Sequence, residues 1–328
     1  MAAPAQPTAP EPAASDAAGP AAGPGAARLA DVVAVLEDLY PPSTAEGWDA
    51  VGLVAGDPAA PVRKVLFAVD PVAAVVDEAL EWGADLVVTH HPLFLRGVHS
   101  VAATTFKGSV VHRLLAAGCG LYCAHTNADA APRGVADALA DLLGIVDRAP
   151  LVASGGPGGV GPDDGAGAVR GIGRVGRLAE PVTLGAFAER VAAVLPATAQ
   201  GVRVAGDLAA PVTTAAVVGG SGDSLFDAVR AAAVDVYVTA DLRHHPASEL
   251  RERAEFEAPA QHRAAGTPFL VDVAHFASEW PWLAYAAEDV AAGVSRLLAA
   301  RGADGTVTTR ISTLVSDPWT ARVASPGR

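Results

Sequence analysis

The chain has 328 residues, a length typical of about two domains, and 51% of its residues are hydrophobic, which is ample for a buried core. The formal net charge is −13 at pH 7, and because no basic run relieves this acidity we expect no nucleic-acid partner. The sequence has no apolar run that is long and charge-free enough for a transmembrane helix, so we expect no membrane partner.

The chain begins with an Ala/Pro-rich stretch, residues 1–28, which lacks the charged start and apolar centre of a signal peptide. We expect this stretch to be a disordered tail. The two cysteines, Cys119 and Cys123, fit neither a CxxC redox motif nor a four-cysteine zinc site, so buried thiols in a strand are favoured. Because no disulfide pattern is present, we expect a cytoplasmic protein.

Residues 29–150 alternate between predicted helices and strands. Helical periodicity begins at Leu29 and stops at Pro41 and Pro42. The predicted strands then cover residues 62–70, 85–91 and 121–129, and the predicted helices cover residues 71–84, 109–120 and 133–145. Such alternation indicates an α/β unit with a largely parallel sheet.

Residues 151–171 are rich in glycine and are interpreted as a flexible surface segment. Gly171, Gly173 and Gly176 match the spacing G-x-G-x-x-G of dinucleotide-binding sites. That motif requires a preceding strand, and here a glycine-rich loop precedes it, so a dinucleotide site is disfavoured.

Residues 172–328 repeat the alternation of helices and strands, ending with a long helix after Trp280 and a closing strand over residues 306–315. We therefore predict two similar three-layer α/β/α units with mixed, largely parallel sheets. The likeness of the two halves does not by itself establish an internal duplication.

Most of the histidines, with several carboxylates, directly follow predicted strands. These residues are His90, His91, His125, Asp129, Asp241, His244, His245, His275 and Glu279. In open α/β sheets, ligands bind in the cleft at the carboxyl ends of the strands. Imidazole and carboxylate together suit Zn, Mn, Fe, Co or Ni, so we predict a divalent-metal site in this cleft.

His90 and His91 are adjacent, although a single histidine is more often a packed core residue than a ligand. Their side chains should diverge along an extended backbone, which suggests one imidazole for each of two ions. A bridging carboxylate would then hold the ions about 3.5–4 Å apart, as in two-metal hydrolases. His275 and Glu279 lie four residues apart where a strand gives way to a helix, so both could reach one pocket.

Six segments in the same order resemble the hexameric dinuclear-metal-centre family, whose members are often described as GTP cyclohydrolase I type 2 homologs. They are GWDAVGLVAGDP, THHPLFLRG, AHTNADAAPRGVADALA, VVGGSGDS, DVYVTADLRHH and VDVAHFASEWP. The resemblance extends from about Leu29 to the C-terminus. The chain departs from the family pattern at Ala50, where Asn is usual, and at Ala240, where Gly is usual.

The resemblance implies two divalent metal ions per chain in a toroidal homohexamer. The ligands that it implies are His90, His91, Asp129, His275 and Glu279. It also suggests a nucleotide such as GTP, or a related small molecule, as substrate.

Other residues near the strand ends have two open interpretations. His125 and His245 could ligate metal or support the ligands from outside, and the supporting role is favoured for His125. Arg96, Arg133 and Arg243 could bind a substrate phosphate or could equally be solvent-exposed or ion-paired side chains.

Two classes of function are compatible with these residues. The first is a metal-dependent hydrolase, in which two ions activate water and polarise the bond that is attacked. The alternative is a non-catalytic metal-binding scaffold or regulatory interaction protein. The implied ligands define a metal pair and no base-recognition pocket, so they do not choose between the two.

Overall fold

The computed structural model describes residues 26–154, 170–262 and 265–325. The strands are β1 (Gly52–Ala55), β2 (Lys64–Ala68), β3 (Leu86–Thr89), β4 (Gly120–Cys123), β5 (Ile145–Ala153), β6 (Gly171–Thr183), β7 (Arg203–Ala205), β8 (Pro211–Ser221), β9 (Val236–Ala240), β10 (Phe269–Val273) and β11 (Thr308–Ile311). The helices are α1 (Leu29–Leu39), α2 (Ala73–Trp82), α3 (Phe106–Ala116), α4 (Thr126–Ala130), α5 (Val135–Leu142), α6 (Leu184–Val194), α7 (Phe226–Ala231), α8 (His244–Glu257), α9 (His275–Glu279) and α10 (Trp282–Ala300).

Two predicted segments lie largely outside the described residues. These are the tail, of which only residues 26–28 are described, and the glycine-rich segment, of which residues 155–169 are not. Ala27 is buried, and its carbonyl oxygen accepts a hydrogen bond from the Val62 amide at 2.8 Å. The ordered chain therefore starts before Leu29. The division into units at residues 150 and 171 stays a prediction.

Among the described residues, the strands form two mixed sheets. The first has the order β1-β4-β3-β2-β11, with β1 antiparallel and the rest parallel. The second has the order β5-β6-β8-β9-β10-β7, in which β8, β9 and β10 are parallel. The predicted α/β class is confirmed. None of the described helices is both long and apolar enough to cross a membrane.

The predicted closing strand is present, but it joins the sheet of the first half instead of the sheet of the second. Strand β11 lies parallel to β2 in the first sheet, with Thr308 opposite Lys64. The preceding helix α10 packs against α1 and returns the chain to the first sheet. A hydrogen bond from Trp282 Nε1 to the Tyr40 hydroxyl, at 3.2 Å, joins the two halves there. The pairing partner of a strand is set by such long-range packing, which local sequence does not encode.

The two halves share a register that repeats every 150 residues. In the first sheet Leu53 of β1 pairs with Tyr122 of β4, and in the second sheet Arg203 of β7 pairs with Asp272 of β10. The segments GDPAAPV and GDLAAPV begin at residues 56 and 206. This matched register indicates an internal duplication, which the sequence alone left open.

A carboxylate before β3 in the first half and another before β9 in the second half each fix the neighbouring strand. Asp85 accepts hydrogen bonds from two backbone amides at the start of β2. Asp235, 150 residues later, accepts them from the amides of Thr213 and Thr214 in β8. Burial opposes ionisation of Asp235, but these amide and hydroxyl donors bring its pKa below the ordinary value.

One apolar core lies between the two sheets, and alternate residues of the strands point into it. Val65 and Phe67 of β2 point into this core, whereas Leu66 points to the opposite face of the sheet, toward α2 and α3. Leu86 and Val88 of β3 also face the central core. The end of β3 therefore directs the next side chain toward the junction of the two halves.

Candidate metal centre

Four histidines converge where strands of both halves end. His90 and His91 follow β3, His125 precedes the single turn of α4 after β4, and His275 begins α9 after β10. His125 and His275 occupy equivalent positions 150 residues apart, as do Asp129 and Glu279. Each half therefore presents a histidine and, four residues later, a carboxylate. In the second half both residues belong to α9, whose turn places their side chains on one face.

The Nδ1 atom of each histidine is engaged by a hydrogen bond on the outside of the cluster. The pairs are His91 with Asp70 Oδ1 at 2.7 Å, His125 with Asp49 Oδ1 at 2.9 Å, His275 with Asp241 Oδ2 at 2.7 Å, and His90 with the Ala124 carbonyl oxygen at 3.0 Å. Since these partners accept hydrogen bonds, Nδ1 carries a proton and Nε2 is directed at the centre, where a neutral imidazole offers a lone pair to a metal. Metal-binding histidines are commonly oriented by such outer carboxylates and carbonyls.

The Glu279 carboxylate lies at the centre of the cluster and is only 3% exposed. Its Oε1 atom is 2.9 Å from His275 Nε2 and 3.4 Å from His90 Nε2. Its Oε2 atom is 3.1 Å from His91 Nε2. One carboxylate therefore contacts three imidazoles through two different oxygens.

Several polar atoms of the cluster lack partners that would satisfy them within the described part of the chain. His90 Nε2 and Glu279 Oε2 are buried without a hydrogen bond of good geometry, although Oε2 is close to His91. The Nε2 atoms of His91 and His275 face each other at 3.2 Å. Buried polar atoms without partners, such as His90 Nε2 and Glu279 Oε2, are unfavourable, and a cation among these atoms would satisfy them.

The donor set fits a divalent metal. The ligand atoms of His90, His91 and His125 all lie within 4.8 Å of one another, and so do those of His91, His275 and Glu279. Imidazole nitrogen with carboxylate oxygen is the donor combination of Zn and related transition ions. The two groups share His91 and therefore adjoin each other.

Protons and metal compete for these nitrogens. Burial opposes charge on His91 and His275, but the Glu279 carboxylate raises the pKa of both, that of His275 to about 9. The same attraction holds the pKa of Glu279 well below its ordinary value despite burial. A bound ion must displace the protons that the metal-free cluster retains.

A cavity of about 500 Å³ opens beside the cluster. His125, Asp129, His275 and Glu279 all reach its wall. Ligand pockets of enzymes have volumes of this order, roughly 300–1,000 Å³. A small molecule in this cavity would therefore contact the metal-binding side chains directly.

Comparisons with known proteins identify the family of the chain that carries this cluster. The family model described as Duf34/NIF3 (NGG1p interacting factor 3) matches residues 27–300. The chain belongs to the Duf34/NIF3 family. The family relationship predicted from the sequence is thereby confirmed.

Two relatives of the Duf34/NIF3 protein are both named GTP cyclohydrolase 1 type 2 homolog. The one from Streptomyces coelicolor is 52% identical over 299 residues, which cover 91% of this chain and 95% of the relative. The one from Mycobacterium tuberculosis is 37% identical over an alignment of 388 positions, which covers 89% of this chain and 96% of the relative. The crystal structure of a Bacillus cereus protein related to NIF3 covers 90% of this chain and 99% of its own, with a TM-score of 0.73. At 24% identity that similarity shows the fold.

The structure corrects the expected divergence of the adjacent histidines. The ring centroids of His90 and His91 are 5.1 Å apart, and both nitrogens belong to one candidate ligand group with His125. Strand β3 ends at Thr89 and the chain bends at the next two residues, so the alternation of a strand no longer applies to them. His90 remains fully buried, whereas His91 reaches the cluster edge.

Asp129 lies beside the cluster, with Oδ1 at 3.8 Å from His90 Nε2. It lines the cavity and is outside the two compact ligand groups found among the described residues. Burial raises the pKa of Asp129 to about 6, an effect that the neighbouring imidazole of His90 offsets only in part. Its shorter side chain accounts for the greater distance, because Glu279 at the equivalent position has one more methylene.

Three predicted site residues are not brought to the cluster. His245 is exposed on the first turn of α8, with its ring against that of His244. Arg96 is exposed in a loop, and Arg243 forms an ion pair with Asp223. Helix α8 begins at His244 and leads the chain away from the strand end, so position after a strand was an insufficient criterion. Among the described cavity-lining residues, none of these three is present.

Sequence reasoning missed the outer carboxylates Asp70 and Asp49. Asp70 follows β2 at the same sheet edge as His90, so the strand-end criterion would have found it. The Ser316 hydroxyl donates to Asp70 from the segment after β11, a contact without a local signal. Asp49 lies in a loop before β1 and also accepts from the Thr126 amide at 3.0 Å.

Gly220 provides a steric test of the cluster. Its φ is +66°, and a Cβ there would lie 2.5 Å from Glu279 Oε1 and 3.1 Å from His275 Nε2. We expect Gly220→Ala to displace the Glu279 carboxylate and weaken divalent-ion binding by at least about 10-fold, the lower end of effects from disturbed ligand support. Chelator competition measures the affinity. Gly47→Ala is the control, because nothing lies within 4 Å of its Cβ. Equal ion affinity in the two variants would contradict the position of Glu279.

Proposed function

We propose that this Duf34/NIF3 protein is a metal-dependent hydrolase that acts on a nucleotide or a related small molecule. The main support is the convergence of inward Nε2 atoms around Glu279 at the wall of an open cavity. The name of its relatives, GTP cyclohydrolase 1 type 2 homolog, suggests a guanine nucleotide as the first substrate to test.

We propose two divalent ions per chain, drawn from Zn, Mn, Fe, Co and Ni. The proposed ligands are His90, His91, Asp129, His275 and Glu279. Glu279 is the proposed bridge, because Oε1 contacts His90 and His275 whereas Oε2 contacts His91. A bridging carboxylate offsets the repulsion between two cations, which no neutral imidazole can do.

When bound, the ions supply Lewis-acid activation of water and of the substrate bond. The protein's own contribution is to orient the ligands and to shape the space beside them. Asp70 and Asp241 accept from Nδ1 of His91 and His275, which fixes each ring and increases the basicity of its Nε2. His125, held by Asp49, is proposed as a supporting residue at the cavity wall.

Turnover by purified protein tests the hydrolase proposal. We expect metal-loaded protein to hydrolyse at least one compound in a screen of nucleotides and phosphoesters. A chelator should abolish that turnover, and adding the metal back should restore it, since the ions supply the activation. Binding of a protein partner without any turnover would instead favour the metal-binding scaffold.

Elemental analysis of Asp129→Ala tests the ligand set. We expect metal content to fall toward one ion or none per chain while the fold persists, because losing a ligand costs more affinity than the roughly 10–100-fold of an outer residue. His112→Ala is the control, since His112 is exposed on α3. Two tightly held ions in the Asp129 variant after dialysis would remove this residue from the set.

We further propose that the protein is a cytoplasmic toroidal homohexamer. The family resemblance supports the ring, and the exposed aromatic side chains Phe106 and Phe256 offer apolar surface for contacts between copies. Light scattering should return about six times the chain mass of 32.9 kDa. A monomer mass throughout the micromolar range would contradict the hexamer.

A further inference from the structure

An exposed tryptophan lies at the mouth of the cavity beside the metal centre. Trp48 is 59% exposed, although it lines the cavity and stands edge-on to the His125 ring at a centroid distance of 5.9 Å. A large aromatic face left in water next to a metal cluster is a surface on which a planar molecule can stack.

The loop that carries Trp48 is fixed to the metal centre. The Glu46 amide donates to Thr126 Oγ1 at 2.9 Å, and the Asp49 amide donates to the Glu46 carbonyl at 2.9 Å. Asp49 in turn accepts from His125 Nδ1. A fixed loop loses little conformational entropy when a ligand binds, so the aromatic face is preorganised.

The charge of the cavity wall limits what can bind there. The described lining residues include the carboxylates of Glu46, Asp129 and Glu279. This set contains three carboxylates and no lysine or arginine. A single phosphate could meet the bound ions, but the further phosphates of a triphosphate would meet no lysine or arginine among the described residues of this wall and would be repelled by Glu46.

Two nearby arginines are already paired with carboxylates. Arg174 makes a two-pronged contact with Asp137 and is buried. Arg243 is paired with Asp223, next to the cavity residue Ser224. Recruiting either guanidinium to a phosphate would leave its carboxylate unpaired, which costs free energy where that carboxylate is shielded from water.

We propose that the cavity selects a planar heterocycle with N–H donors and at most one phosphate: a nucleobase, a nucleoside or a nucleoside monophosphate, rather than a triphosphate. Trp48 stacks on the ring, and the Glu46 carboxylate accepts from ring N–H groups. This proposal rests on the proposed function in one respect: it takes the heterocycle that binds in the cavity to be the molecule that is hydrolysed.

Calorimetric titration of the metal-loaded full-length protein with guanosine, GMP and the Mg²⁺ complex of GTP tests the proposal. GTP should bind no more tightly than GMP. Trp48→Ala should weaken the binding of guanosine and of GMP by about 10-fold, within the range measured for stacking of a base on an aromatic side chain. Trp48→Phe should retain most of the affinity. Trp319→Ala is the matched control, because Trp319 is 67% exposed and is not among the cavity-lining residues described.

A charge reversal gives a second test. Glu46→Lys should tighten GTP binding relative to guanosine, because it replaces repulsion of the outer phosphates with attraction. GTP binding about 10-fold tighter than GMP in the wild-type protein, a difference of about 1.4 kcal/mol, would overturn the proposal. So would GMP affinity unchanged by Trp48→Ala, or no binding of any of the three compounds.

The outcomes separate this specificity from the hydrolase activity. Trp48-dependent GMP binding without chelator-sensitive turnover would support the specificity and count against the hydrolase. Chelator-sensitive turnover of another compound, together with a GMP affinity that Trp48→Ala does not change, would support the hydrolase proposal and overturn the proposed specificity.

Discussion

The metal centre depends on a buried carboxylate surrounded by imidazoles. Glu279 is removed from water, and an isolated charge there would cost several kcal/mol. Contacts with three histidines offset that cost, and the outer partners of those histidines keep the nitrogens directed at the carboxylate. The sheets bring these histidines together, because the carboxyl ends of their strands meet at one junction.

The duplication explains both the symmetry of the centre and its departure from symmetry. Each half contributes a histidine and a carboxylate four residues apart, after β4 and after β10, but one carboxylate is Asp129 and the other is Glu279. The longer side chain reaches all three imidazoles, whereas the shorter one stays near His90 and faces the cavity. His91 has Asp241 at its equivalent position, and that aspartate orients His275 instead of pointing inward. In the duplicated framework, the equivalent residues His91 and Asp241 therefore have different roles. His91 contacts Glu279, and Asp241 supports His275 from outside the cluster.

The sequence predicted the parts of this arrangement that follow from local rules. Alternating elements gave the α/β class, and histidines after strands located the centre, because parallel strands end at a common edge. Strands β5 and β6 were missed, since most residues of β5 are at least partly exposed and β6 contains three glycines and a proline. The convergence of His90 and His91 depends on a bend that begins where β3 stops. The place of β11 depends on a contact between segments more than 240 residues apart in the chain, which local patterns cannot reveal.

That return of β11 to β2 has a consequence for biosynthesis. A ribosome makes β2 long before it makes Thr308–Ile311, so the nascent chain carries one side of β2 with its backbone amides and carbonyls unpaired. An unpaired strand edge is a template for association with other chains. The first sheet can be completed only after the C-terminal segment leaves the ribosome, and with it comes Ser316, which donates to the aspartate behind His91. A chain that stops early therefore lacks both the protection of its sheet edge and the last support of a metal-facing histidine.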